Sequence, residues 1–307
     1  MFSKNSNKFL WIFLAILIIA VALIFTSEST KNERTFRKEL VSIDTSKVSQ
    51  ISIYPKSLKG KEVRILKVDN IWKVNSDFGK QFTVPKIKVE NLLNQLLLVK
   101  PQRVAARSKD KWKEYQIDSA STRIEIKEGS EKVLDLMIGK FAFQQPRSMS
   151  TFVKLAGDID IYEVEGFLDM IFNKTSNDFR DETIIKSERQ KWNKLKFESV
   201  NSDSSFELVK VNNSWFVNGT KTDSAKTENT LNSIERLTNS NYINNEKATF
   251  PKQTSKLTIE IENENPIVIT AYQDSTNYVI ESSLNKENFF DGKTIRDKIF
   301  FKKESLF

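Results

Sequence analysis

The sequence predicts an α+β protein: an N-terminal single transmembrane helix followed by two tandem, mostly antiparallel β-rich repeats, each carrying one amphipathic helix. Three observations carry that expectation. Residues 9–25 form an apolar run without a single charge. The rest of the chain is polar and broken into short stretches that alternate or are rich in β-branched residues. Blocks of its first half recur, in the same order, in its second.

The run from Phe9 to Phe25 holds seventeen residues. At 1.5 Å per residue a helix of that length covers about 25 Å, close to the thickness of a hydrocarbon core. Lys4 and Lys8 form a charged leader, and Ala20-Val21-Ala22 offers a small-residue cleavage box, the mark of a removable signal peptide. Leu23, Ile24 and Phe25 continue the apolar stretch past that box, which favours an uncleaved anchor. Residues 1–8 then read as a cytoplasmic tail, 9–25 as a signal anchor in membrane lipid and 26–47 as a stalk. A long trailing domain translocates largely regardless of flanking charge, so the body is expected outside the cytoplasm, on an inner membrane.

The body reads as repeat one, 48–182, and repeat two, 183–307. Leu66–Asn75 matches Val209–Asn218 at an offset of 143, with Trp72 over Trp215 and six of ten positions identical. Lys88–Val99 lies over Lys226–Leu237 at an offset of 138, and Ile124-Glu-Ile126 over Ile259-Glu-Ile261 at 135. Phe179–Ile184 resembles Phe301–Leu306. Within the first copy, strands are expected over 48–54, 62–68 and 71–74, with Asp69-Asn70 as the turn between the last two. Pro85 opens a helix whose apolar positions Val89, Leu92, Leu93, Leu96 and Val99 recur at spacings of three and four, and Pro101 closes it. Alternating runs at 122–127 and 132–138 follow, then strands at 151–155 and 159–164 and a short helix near 167–172. In the second copy Asp223 or Ser224 is placed to cap the helix.

Composition narrows the chemistry. The 307 residues include no histidine and no cysteine. The commonest general base, every thiol nucleophile and the usual zinc, haem and iron-sulfur ligands are therefore missing, as is any disulfide or acylated cysteine. Eight glycines leave no glycine-rich phosphate loop. No catalytic residue, metal site or cofactor is implied, and a non-enzymatic role is expected. Asp158 and Asp160, two apart, would share one face if they stood on a strand, as a metal or acid-base pair requires. A hydrolase using paired carboxylates is the remaining enzymatic alternative.

The densest charge feature is Lys100, Arg103, Arg107, Lys109, Lys111 and Lys113, interleaved with Trp112 and Tyr115 and opposed by Asp110 and Glu114. On a chain of net charge +8 this stretch is either a solvated loop or a docking face for an anionic partner. Nucleic acid is excluded as a partner by the expected compartment. Trp72 and Trp215 either pack in the two cores or form a paired aromatic surface.

The strand, turn and Trp at 66–72, the amphipathic helix, Tyr115-Gln-Ile-Asp118, the hairpin ending at Ile138-Gly139 and Phe179-Arg180-Asp181 together make the chain resemble a bacterial family, domain of unknown function 4340. Gln116 stands where the family pattern has glycine. The resemblance implies a single-pass or secreted envelope protein, often associated with ABC-type transport or gliding-motility gene groups, and brings no active site. The expected function is a membrane-anchored, extracytoplasmic accessory or interaction module for a membrane complex with an integral-membrane partner. The alternative is a domain that binds an envelope glycan or peptide.

Overall fold

A computed structural model describes residues 37–307, apart from 120, 145–147, 202–203, 245–249, 251 and 275–276. The chain divides into two units, residues 1–40 and 41–307, and the strands of the described residues lie in the second. Nine strands make its first sheet: β1 (Val48–Tyr54), β2 (Val63–Val68), β3 (Ile71–Asn75), β4 (Gln81–Thr83), β5 (Pro101–Ala106), β6 (Thr122–Glu128), β7 (Glu131–Gln144), β8 (Ser148–Leu155) and β9 (Ile161–Glu165). Their spatial order is β4-β3-β2-β1-β6-β7-β8-β9-β5. Helix α1 (Lys86–Leu97) connects β4 to β5, and short helices α2 (Leu168–Phe172) and α3 (Ser176–Phe179) follow β9.

After β10 (Thr183–Lys186) the pattern returns with β11 (Trp192–Ser199), β12 (Phe206–Val211), β13 (Ser214–Val217), β14 (Thr220–Lys221), helix α4 (Ser224–Ile234), β15 (Arg236–Thr238), β16 (Tyr242–Ile243), β17 (Lys252–Ile261), β18 (Ile267–Asp274), β19 (Asn277–Ser282), β20 (Asn285–Asp291) and α5 (Arg296–Ile299). The second sheet runs β14-β13-β12-β11-β17-β18-β19-β20-β16, the same order as the first. β10 and β15 pair separately.

Local chemistry explains the recurring parts. Asp69-Asn70 and Asn212-Asn213 all have positive φ, between 45° and 64°, which Asn and Asp tolerate and a two-residue antiparallel turn of the favoured hand requires. In α1 the buried residues are Val89, Leu92, Leu93 and Leu96, one stripe laid on the sheet. Helix α4 starts where the Asp223 carboxylate accepts the Lys226 backbone N–H at 2.8 Å. Strand alternation does the rest: in β6 Ile124 and Ile126 are wholly buried while Arg123 and Glu125 are half-buried.

These elements correct the expected fold class. The helices of the two sheets hold only twelve and eleven residues and cover one sheet each, so the described chain is mostly antiparallel β-sheet rather than α+β. Periodic helical stripes are conspicuous in a sequence, whereas strands of two or three residues such as β4, β14, β15 and β16 are not. No helix among the described residues is long and apolar enough to cross a membrane. The transmembrane helix expected at 9–25 and the tail before it lie outside the described residues.

The two sheets meet around Arg180, which is 1% exposed. Its guanidinium carbon sits 3.6 Å from the ring centroid of Phe82 and 3.9 Å from that of Tyr242, a cation between an aromatic of each half. Nε donates to Asn288 Oδ1 at 2.7 Å, and Nη1 donates to Asn177 at 3.1 Å and Asn244 at 2.8 Å. No carboxylate among the described residues forms an ion pair with it, and burial pulls its pKa down to about 10. Burial raises the Tyr242 phenol well above its usual range. Nearby, Glu287 of β20 accepts from the Thr83 N–H at 2.6 Å and pairs with Lys73 at 2.9 Å, tying β20 to β3 and β4.

Candidate functional site

The basic stretch forms a loop with an inner and an outer side. Inside, Ile117 is fully buried against Phe152 and Ile161, with Trp112 and Tyr115 packed around them. Trp112 Nε1 donates to the Ile159 carbonyl at 3.1 Å, and the Ile117 N–H closes the loop on the Trp112 carbonyl at 2.8 Å. The Tyr115 ring stands edge-on to Phe152 at 4.5 Å. Its carbonyl accepts the Lys140 N–H at 2.9 Å, an approach that only glycine at 139 permits: a Cβ there would lie 2.2 Å from that oxygen. Two motifs that carry the family likeness, Tyr115–Asp118 and Ile138-Gly139, are thus one contact. Gln116 adopts φ +54°, the left-handed conformation for which glycine is suited.

Lys154 supports the loop from below. It is 1% exposed, and its Nζ donates to the carbonyls of Leu155, Ala156 and Asp158 at 3.0 to 3.3 Å while lying 4.3 Å from the Trp112 ring centroid. Burial lowers its pKa, and Asp158 and Asp135 push back. Sequence reasoning missed this residue, because a lysine at the end of a strand reads as solvent-facing unless the carbonyls that hold it are known.

Outside, the six expected basic residues do not act alike. All are exposed. Arg103 on β5 forms an ion pair with Glu163 on β9, a carboxylate 1% exposed that also accepts from the Ser150 hydroxyl at 2.6 Å. Its first task is to neutralise a buried charge. Lys111 pairs with Glu114 at 3.0 Å. Lys109 lies 5.9 Å from the Trp112 ring centroid. Lys100, Lys109 and Lys113 have no carboxylate partner among the described residues and form the outward-facing charge.

The other candidates separate cleanly. Asp158 and Asp160 stand in the loop before β9, not on a strand, and Asp158 Oδ1 accepts the N–H groups of Ile159 and Asp160 at 2.7 and 3.2 Å. That carboxylate shapes its own turn. No cluster of three or more metal-ligating side chains occurs among the described residues. Trp72 and Trp215 are buried, 7% and 4% exposed, each with a lysine of the preceding strand, Lys67 or Lys210, 5.9 Å from its ring centroid.

Fold and surface describe a double-sheet β protein whose charged loop is mounted on a buried aromatic cluster and whose Asp158 and Glu163 carboxylates are engaged in its own structure. The sequence profile of the family described as Domain of unknown function (DUF4340) matches residues 72–256, more than half of the chain. The chain belongs to that family. Neither a curated protein nor a solved structure matches it.

Proposed function

We propose that this chain is a non-catalytic interaction module that docks an anionic face of a membrane-associated partner through the loop at 107–113 and Lys100. One observation carries the reading: Trp112, Tyr115, Ile117 and Lys154 fix the inner side of the loop while Lys109 and Lys113 project outward. A preformed cationic surface loses little freedom on docking. The partner is an integral-membrane protein, such as a component of an ABC-type transporter, and the apolar run 9–25 keeps the module beside it with the body extracytoplasmic. Extraction in mild detergent should recover the chain with that partner. Charge reversal at Lys100, Lys109 and Lys113 should weaken the association, more at low salt than at high. Recovery alone in several detergents, or indifference to the reversal, would overturn the proposal.

A further inference from the structure

The first half carries an apolar surface that the second half lacks. β7 and β8 run past the end of β6 as a two-stranded arm: Thr122 pairs with Ile138, but β7 continues to Gln144. One side of the arm presents Phe141, Phe143 and Met149, with Phe143 directly opposite Met149. Thr151, opposite Phe141, accepts the Leu168 N–H of α2 at 3.2 Å, so this is the side of the sheet that the helices cover. The Phe141 ring meets that of Phe167 at 4.7 Å, and Met170 follows on α2. Leu97 and Leu98 come to the same end of the sheet, because α1 packs against α2 and Pro101 pairs with Val164. Two residues beyond Val164, the Gly166 N–H donates to the Met149 carbonyl at 2.8 Å. The six side chains Leu97, Leu98, Phe141, Phe143, Met149 and Met170 are 37% to 68% exposed. Together they present on the order of 600 Å² of surface, the size at which an apolar patch on a monomer marks an interaction site.

The second half shows that the fold does not require this surface. The matched helix ends set Glu235 and Arg236 over Leu97 and Leu98, and the Asp-x-Ile-Phe shared by 169–172 and 297–300 sets Lys298 over Met170. By strand register Ala271 and Ile280 stand where Ile138 and Val153 do, yet β18 stops at Asp274 while β7 continues. We infer that two copies of this chain associate through the patch, each covering the other's about a two-fold axis. Charge and area both select a second copy. A two-fold contact sets each patch against itself, so a charge near the axis would face its like. None of the six side chains is charged, on a chain whose net charge of +8 opposes self-association elsewhere. The area approaches the roughly 800 Å² that each partner gives to an interface of standard size, and homodimer contacts are more apolar than transient ones.

Because the chain has no cysteine, Met170→Cys or Phe143→Cys in the full-length protein places a single thiol on the patch. In cells producing two differently tagged forms of one such variant, a permeant bis-maleimide should give a product of twice the chain's mass that carries both tags. Lys298→Cys, at the matching position of the second half, should give none. Adding Phe143→Asp to Met170→Cys should cut the product about tenfold or more, since it sets a charge in each copy's contact. Phe143 is 59% exposed, so that change should leave the urea-unfolding midpoint where it was. No product from either patch cysteine, equal product from Lys298→Cys, indifference to Phe143→Asp, or a product joining the chain to a different protein would overturn the inference. So would a blue shift of fluorophore-labelled Phe143→Cys on lipid vesicles in place of cross-linking, which would assign the patch to lipid.

Discussion

Replacing Arg180 by alanine tests what joins the two sheets. The guanidinium makes three hydrogen bonds, to Asn177, Asn244 and Asn288, and lies between two aromatic rings. Hydrogen bonds from a charged donor are worth roughly 1.5–3 kcal/mol each, and a desolvated cation-aromatic contact about 2 kcal/mol. Set against them is the desolvation of a cation without a carboxylate partner, several kcal/mol, which the alanine variant regains. The balance, with the cavity left between Phe82 and Tyr242, is a loss of about 3–5 kcal/mol. Arg180→Lys keeps the charge but not the planar fork, and should lose roughly half as much. The assay is urea unfolding of the full-length chain followed by tryptophan fluorescence, with Trp72 reporting on the first half and Trp192 and Trp215 on the second. The wild type should unfold in one transition and Arg180→Ala in two, because the halves no longer share a buried group. A single transition with an unchanged midpoint would refute the reasoning.

Other substitutions probe the loop and its mounting. Gly139→Ala should cost about 3 kcal/mol or more, since the new methyl meets the Tyr115 carbonyl and the Ile117 side chain, and limited proteolysis should then cut within 107–117. Gln116→Gly should raise stability by about 0.5–1 kcal/mol, the relief of a left-handed conformation less the entropy that glycine adds to the unfolded chain; a lower melting temperature would show that the Gln116 side chain matters. Burial pushes the Asp135 carboxyl up, but Arg123 and Lys132 outweigh it and hold its pKa below the ordinary value. Its stabilising contribution is therefore present above about pH 4 and lost as pH falls through the depressed value, so Asp135→Asn should flatten the acid side of the stability profile.

What the sequence showed followed from locality. The Asp69-Asn70 turn, the stripe of α1 and the Asp223 cap each depend on neighbours spaced four positions apart or less, so their chemistry is visible in a short window. The same holds for the matched Trp motifs. Arg180 is the opposite case: Asn288, which orients it, lies 108 residues away, and nothing beside Arg180 in the sequence announces burial. Lys154 and Glu163 are similar, since their charges read as solvent-facing until the carbonyls and the arginine that answer them are placed. Arg103 shows the reverse error. It counts with its neighbours as surface charge, yet it is committed to a buried carboxylate across the strand pair.

The placement of Arg180 also bears on the order in which the chain is made. Two of its five contacts, Phe82 and Asn177, belong to the first half; the other three, Tyr242, Asn244 and Asn288, are synthesised later. At the usual pace of translation the last of these follows Arg180 by about 5–20 s, ample time for a domain to fold. A nascent first half can build its sheet in that interval, but it must wait with Phe82 and a cation facing water. A chain ended near residue 182 would be held permanently at that stage, with an apolar ring and an unmatched charge on the face that the second half is built to cover.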